Sequence, residues 1–162
     1  MPYHYSYLTP LGEIWIVEDC GCIVKIKYKI DFQDVEKKET ALIKKTYLQL
    51  TEYFAGKRKK FDIPIKLTGT AFQQRVWTAL QTIPYGEVWS YKRLAETVGS
   101  PKGYRAVGMA NNRNPISVIV PCHRVIGADG CLVGYAGGID KKRWLLNMEQ
   151  KNQNEIPLVV KY

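Results

Sequence analysis

Between Thr70 and Asn112 the chain carries three short helical patterns, each with its own start and stop signals, and this run restricts the fold more than any other feature. Thr70 and Gln73 have capping-box spacing, and Phe72, Val76, Ala79, Leu80 and Ile83 form one apolar stripe before Pro84-Tyr85-Gly86 ends the helix. A second helix starts after Ser90, carries Leu94, Ala95 and Val98, and stops at Gly99. The third starts at Ser100-Pro101, a cap followed by proline in the first turn, and runs to about Asn112. Three helices with short connections are the skeleton of a helix-turn-helix unit. The third helix is rich in small residues (Gly103, Ala106, Gly108, Ala110), which suits either tight packing on a neighbouring helix or close approach to a nucleic-acid backbone.

The chain before this run reads differently. Tyr3, Tyr5 and Tyr7 alternate, Thr9-Pro10-Leu11-Gly12 turns, Ile14 to Val17 is apolar, Asp19-Cys20-Gly21 turns again, and Ile23 to Tyr28 alternates with lysines. A helix from about Glu36 to Phe54 follows, stopped at Gly56, then the basic run Lys57 to Lys60 and a short strand near Phe61 to Ile65. The change of pattern at Leu67-Thr68-Gly69 marks a boundary, giving domains at 1–67 and 70–150 and a fraying tail at 151–162. Beyond the three helices, a strand ending at Val120, a Gly-rich segment from Gly127 to Gly138 and a closing helix near Ile139 to Glu149 would add a wing-like appendage.

A length of 162 residues, 46% of them hydrophobic and 24% charged, allows a real core in one domain or two small ones. No segment approaches the roughly 20 apolar residues of a spanning helix, and the first residues do not form a basic-then-apolar leader, so the chain reads as intracellular and cytoplasmic, with no membrane partner. Cys20, Cys22, Cys122 and Cys131 read as reduced thiols. The net charge of +9 is uneven: residues 1 to 66 hold 12 basic and 9 acidic side chains, residues 67 to 162 hold 12 and 6. A basic excess in the helical half is compatible with a nucleic-acid partner.

The chemistry centres on Pro121-Cys122-His123-Arg124, which ends the apolar run from Ile116. A thiol with a base and a cation beside it is poised for nucleophilic chemistry, whereas a buried thiol without them is inert. On an extended strand adjacent side chains point to opposite faces, so direct contact of Cys122 with His123 needs a bend or a bridging water, and Pro121 makes an irregular backbone plausible. Glu149, near the end of the last helix, is disfavoured by the helix dipole unless it has a partner; pairing with His123 would orient the imidazole, and an exposed surface carboxylate is the alternative.

These residues, Val120 to Val125, together with Arg105-Ala106-Val107-Gly108, Asn114-Pro115, Gly134-Tyr135-Ala136-Gly137-Gly138 and Trp144-Leu145-Leu146, closely resemble the O6-alkylguanine-DNA alkyltransferases, also called methylated-DNA–protein-cysteine methyltransferases. The match spans about Phe72 to Glu149. The resemblance implies an α+β chain with an amino-terminal ribonuclease-H-like domain of β-sheet and helix, and a carboxy-terminal winged-helix domain that enters the minor groove of double-stranded DNA. It implies a single-turnover repair protein, a monomer without cofactor, that flips O6-alkylguanine out of the stack, with O4-alkylthymine a further candidate. Cys122 then corresponds to the alkyl acceptor, activated by His123 through a water and by Glu149, with Asn114 supporting the turn. Arg105 matches the finger that replaces the flipped base, and Tyr91 the tyrosine that contacts it. Val125, Tyr135 and Ala136 match the walls of the guanine pocket; Ser90, Arg113 and Arg124 join the DNA- and base-binding group. Some members bind zinc in the amino-terminal domain; Cys20, Cys22 and His4 are too few here for a closed four-ligand site, so no metal is expected. A non-enzymatic winged-helix binder would lack the acceptor cysteine. A cysteine hydrolase using Cys122 and His123 would turn over repeatedly. A metal module on Cys122, His123 and Cys131 is a further alternative.

Overall fold

Alternating side chains at the start of the chain form an antiparallel meander of β1 (Tyr3–Thr9), β2 (Gly12–Asp19) and β3 (Cys22–Lys27) in the computed structural model, which describes residues 1–153. The β2–β3 turn needs positive φ at both central residues, and Cys20 (φ 51°) and Gly21 (φ 78°) supply it. Residues 36–37, expected to open a helix, instead form β4 (Glu36–Lys37), parallel to β1, so the sheet order is β3-β2-β1-β4. Helix α1 (Ala41–Phe54) starts where the Thr40 side chain accepts from the Ile43 N–H at 3.1 Å. Its Ile43, Leu50 and Tyr53 are completely buried, as are Ile16, Ile23 and Ile26 of the sheet. The strand expected near Phe61 to Ile65 is reduced to one bridge between Ile65 and Ile23.

The chain divides into two compact units, Met1–Thr68 with Pro115–Ser117, and Gly69–Asn114 with the chain from Val118 onward. In the second unit α2 (Ala71–Leu80) has the full capping box of Thr70 and Gln73. Ser90 caps α3 (Tyr91–Thr97), its Oγ accepting from Arg93 N–H at 3.0 Å. Helix α4 (Tyr104–Asn112) begins four residues after Ser100, because the chain first turns through Gly103, whose N–H donates to the Ser100 carbonyl at 2.8 Å. Trp77 of α2, 2% exposed, fixes the α2–α4 contact by donating its indole N–H to the Ala110 carbonyl at 2.9 Å. Here the small residue on α4 serves helix packing.

Two expectations for the later chain are corrected. No strand runs to Val120: Ile116 makes a single bridge with Ile26, and residues 117–120 form a turn that includes Val118 at φ 73°. The wing is a two-residue parallel pair, β5 (Trp89–Ser90) with β6 (Val125–Ile126), followed by an irregular segment at 127–138. Helix α5 (Ile139–Lys151) closes the unit. The expected tail lies outside the described residues from 154 onward. Among the described residues, no helix is long and apolar enough to cross a membrane.

Candidate active site

Pro121 explains the local geometry of the reactive segment. Its ring fixes φ near the −82° observed, and with ψ 64° it forms the centre of an inverse γ-turn in which Cys122 N–H donates to the Val120 carbonyl at 2.8 Å. The chain then enters a 3-10 helix at Cys122–Arg124, where successive side chains fan about 120° apart instead of alternating across a strand. Asn114, 1% exposed, ties the turn from inside, its Nδ2 donating to the Val120 carbonyl at 2.7 Å. The turn also holds Val118, a β-branched residue in the left-handed region, at a strain of order 1 to 3 kcal/mol.

Each residue of the 3-10 helix reaches a different partner. Cys122 is 4% exposed. His123 is fully buried, with Nε2 2.7 Å from Glu149 Oε2. Arg124 grips the same carboxylate in a fork, Nε to Oε1 at 2.8 Å and Nη2 to Oε2 at 2.9 Å, and donates from Nη1 to the Ile83 carbonyl at 2.7 Å. Glu149, 1% exposed, is therefore a partnered core residue and not a surface carboxylate. Burial alone would raise its pKa; His123 and the Arg124 guanidinium outweigh that and hold it far below the usual carboxylate range. Burial pushes His123 down, against the opposing pull of Glu149. The pair is thus neutral imidazole beside ionised carboxylate. A carboxylate only accepts, so Nε2 carries the proton and Nδ1 is the basic nitrogen.

Arg124 departs from the sequence expectation. Grouped there with the DNA- and base-binding residues, it is 8% exposed with its donors committed to Glu149 and Ile83, so it acts inside the fold. Tyr91 stands at the start of α3 and donates its hydroxyl proton to the Val133 carbonyl at 3.1 Å. Burial pushes its phenol up, partly offset by a hydrogen bond from the Asn111 side chain, while the nearby Cys122 pushes the same way as burial. Val125 is completely buried and Tyr135 9% exposed, whereas Ala136 is exposed. Arg105 and Arg113 are exposed, apart from the buried cluster. On α4, Arg105 shares the exposed surface with Tyr104 and Met109, while Val107, Ala110 and Asn111 face inward.

Two buried residues escaped the sequence reading. Lys142 of α5 is completely buried; its ammonium donates to the carbonyls of Val125, Val133 (2.9 Å) and Gly134 (3.3 Å), and lies 5.9 Å from the Tyr91 ring centroid. Burial pulls it down to about 8, against attraction to the Cys122 thiolate. A helical lysine ordinarily reads as solvated, but Ile139, Lys142, Leu146 and Glu149 share one helical stripe, and that spacing was the available signal. The other is Asn111, 1% exposed, whose Nδ2 donates to the Cys122 carbonyl at 3.4 Å. Among the described residues no group of three or more His, Cys, Asp or Glu could hold a metal ion.

A buried thiol, a neutral imidazole whose other nitrogen is locked onto an ionised carboxylate, a phenol and a lysine can generate and use a thiolate. Comparison with known proteins agrees. Residues 3–67 match the ribonuclease-like domain of 6-O-methylguanine DNA methyltransferase, and residues 71–151 match its DNA binding domain. The chain is 46% identical to the constitutive methylated-DNA--protein-cysteine methyltransferase of Bacillus subtilis, over 96% of this chain and 99% of that protein. It is 45% identical to the methylated-DNA--protein-cysteine methyltransferase of Methanosarcina acetivorans, over 91% and 97%. The crystal structure of Mycobacterium tuberculosis OGT in complex with DNA superposes with a TM-score of 0.88 at 42% identity, covering 93% of this chain and 94% of that one. Both halves of the chain, in order and nearly to full length, thus belong to the 6-O-methylguanine DNA methyltransferase family.

Proposed function

We propose that this chain repairs DNA by moving the alkyl group of O6-alkylguanine onto its own Cys122, once per molecule. The observation that carries the reading is the 3-10 turn, which joins the thiol to a base oriented by a buried carboxylate. His123 Nδ1 takes the thiol proton through a water, and Glu149 stabilises the imidazolium that results. The thiolate attacks the saturated carbon, the S–C bond forms, the C–O6 bond breaks, and the electron pair leaves with guanine, which regains a proton. Tyr91, kept protonated by its buried position, donates to the base as charge develops on it. Nothing in the cluster hydrolyses a thioether, so the acceptor is consumed.

Double-stranded DNA is the partner. In support, a close structural relative was crystallised with DNA. The exposed side of α4 would lie in the minor groove, with Arg105 filling the space of the extruded nucleotide and Arg113 near the backbone; extrusion costs a few kcal/mol, least for a damaged pair. Asn114 braces the acceptor turn, and Val125, Tyr135 and Ala136 wall the base pocket. Ser90, which caps α3, sets the position of Tyr91 beside it. The chain works inside the cell, as one protomer per lesion.

The test is incubation with duplex DNA carrying O6-methylguanine, followed by peptide mass spectrometry. One methyl on the Cys122 peptide per chain, with no second turnover, is expected. Repeated turnover, or an unmodified Cys122, overturns the proposal.

A further inference from the structure

The turn between α2 and β5 brings three separate groups to the buried cluster. The Ile83 carbonyl accepts from Arg124 Nη1 at 2.7 Å, and the Gly86 N–H donates to Glu149 Oε1 at 3.4 Å. Between them the Tyr85 ring faces the Arg124 guanidinium, whose carbon lies 5.6 Å from the ring centroid. The turn is closed by its own backbone, Ile83 N–H donating to the Leu80 carbonyl and Glu87 N–H to the Pro84 carbonyl, both at 3.1 Å. Gly86 has φ 82°, and an added Cβ would lie 2.5 Å from Gln153 Cδ, so only glycine lets the chain pass this close to the end of α5. The Tyr85 hydroxyl donates to Met148 Sδ at 3.4 Å, which fixes the far end of the ring on α5 beside Glu149.

A guanidinium makes its hydrogen bonds in its own plane and leaves two flat, weakly hydrated faces. All three Arg124 nitrogens are engaged, Nε and Nη2 on Glu149 and Nη1 on Ile83; the Tyr85 ring covers a face and opposes rotation away from these partners. We propose that Tyr85 is a positioning residue for alkyl transfer: its ring holds Arg124 on Glu149, and Glu149 so held orients and tunes His123, the base that takes the Cys122 proton. Tyr85 acts through Arg124 and exchanges no proton. The inference rests on the reading of Cys122 as acceptor and of His123 as its base. The ionisable groups about His123 are Cys122 and Arg124 beside it in the chain, Glu149 and Lys142 of α5, and Tyr85 beyond Arg124. Burial lowers the His123 pKa, Glu149 raises it, and Arg124 and Lys142 lower it further. A guanidinium that drifts from Glu149 leaves the field of the carboxylate on the imidazole less opposed, so the His123 pKa rises. Burial and Glu149 push the Tyr85 phenol up to about 12, against Arg124, so Tyr85 itself stays neutral throughout the acid limb.

The experiment is a pH profile of single-turnover transfer from O6-methylguanine duplex, measured on the full chain at saturating protein from about pH 4.5 to 8. Tyr85→Leu keeps an apolar side chain and removes the ring face; Tyr85→Phe keeps the face and gives up only the hydroxyl. Tyr85→Leu should move the acid midpoint up by roughly half a unit, which slows transfer about threefold on the acid side of the midpoint. Tyr85→Phe should keep the parental midpoint. A Tyr85→Leu rate that falls by one factor at every pH, with the midpoint unmoved or lowered, shows that Tyr85 only supports the fold and overturns the proposal. A midpoint displaced as far in Tyr85→Phe as in Tyr85→Leu assigns the effect to the hydroxyl and overturns it too. Tyr85→Met serves as the second variant if the leucine protein unfolds, with the same outcomes. A parent chain that leaves Cys122 unmethylated, or that transfers with no acid limb, instead overturns the functional reading beneath it, and the inference with it.

Discussion

Replacing Arg124 with methionine tests how the buried cluster is held together. The side chain is 8% exposed and its fork makes two short bonds to Glu149, which is 1% exposed. Removing the guanidinium leaves an ionised carboxylate in the core with His123 and the Gly86 N–H, 3.4 Å from Oε1, as its remaining polar contacts among those described. Breaking a buried pair by deleting one partner costs about 3 to 5 kcal/mol, whereas an exposed pair is worth at most about 1. Urea unfolding at neutral pH should therefore show a loss in the upper range. The pH dependence gives an independent check. The folded-state pKa of Glu149 is depressed, so its contribution is fully present above the unfolded value of about 4.3 and is lost as pH falls below it. In Arg124→Met burial acts with less opposition, the folded-state pKa rises, and acidification costs that variant less. The stability gap between parent and variant should narrow between about pH 5 and pH 3. A gap below about 1 kcal/mol, or one that does not change with pH, would refute the assignment of Arg124 as the chief partner of Glu149.

Three other outcomes are expected. Cys122→Ala should abolish methyl transfer while retaining DNA binding in a gel-shift assay; loss of both together would mean that the cysteine is needed for the fold. Since burial lowers the His123 pKa and Glu149 opposes this, the acid limb of the transfer rate should have its midpoint below about 6.5, and Glu149→Gln should move it lower still; a shift upward contradicts the electrostatics. Lys142 carries a folded-state pKa of about 8 against an ordinary 10.5, so between those values the unfolded chain holds the proton and the folded chain releases it. Parental stability should gain with pH across that window relative to Lys142→Met, while parental transfer slows as the cation beside Cys122 is lost; parallel stability curves would sink this account.

The parts of the chain legible in the sequence are those written locally. The capping box of Thr70 and Gln73, the Ser90 cap and the turn at Cys20-Gly21 depend on neighbours within a few residues, and the structure has all of them. The apolar run Ile116 to Val120 was misread because burial and strand pairing leave the same composition: Val118 and Val120 are buried, yet in a turn. Arg124 and Lys142 were misplaced or missed for a related reason. A cation becomes a core residue only when carbonyls and carboxylates from distant segments converge on it, here Ile83, Val133 and Glu149, and no window of sequence contains that convergence. The pairing of Glu149 with His123 was suggested by its awkward place near a helix C-terminus, a case where an apparent local conflict pointed to a tertiary partner.

The 3-10 turn has a consequence for what kinds of sequence change this site can survive. Cys122, His123 and Arg124 are consecutive, and each takes its direction from the residue before it. A substitution at any one of them leaves the backbone directions of the other two in place, although Arg124 and His123 remain coupled through the shared Glu149 carboxylate. Gaining or losing a single residue between Pro121 and Val125 would rotate every later side chain by about a third of a turn and misdirect imidazole and guanidinium together. Lineages of such chains should therefore show almost no change in the length of this turn, and designed libraries that vary loop length here should return nearly all inactive clones.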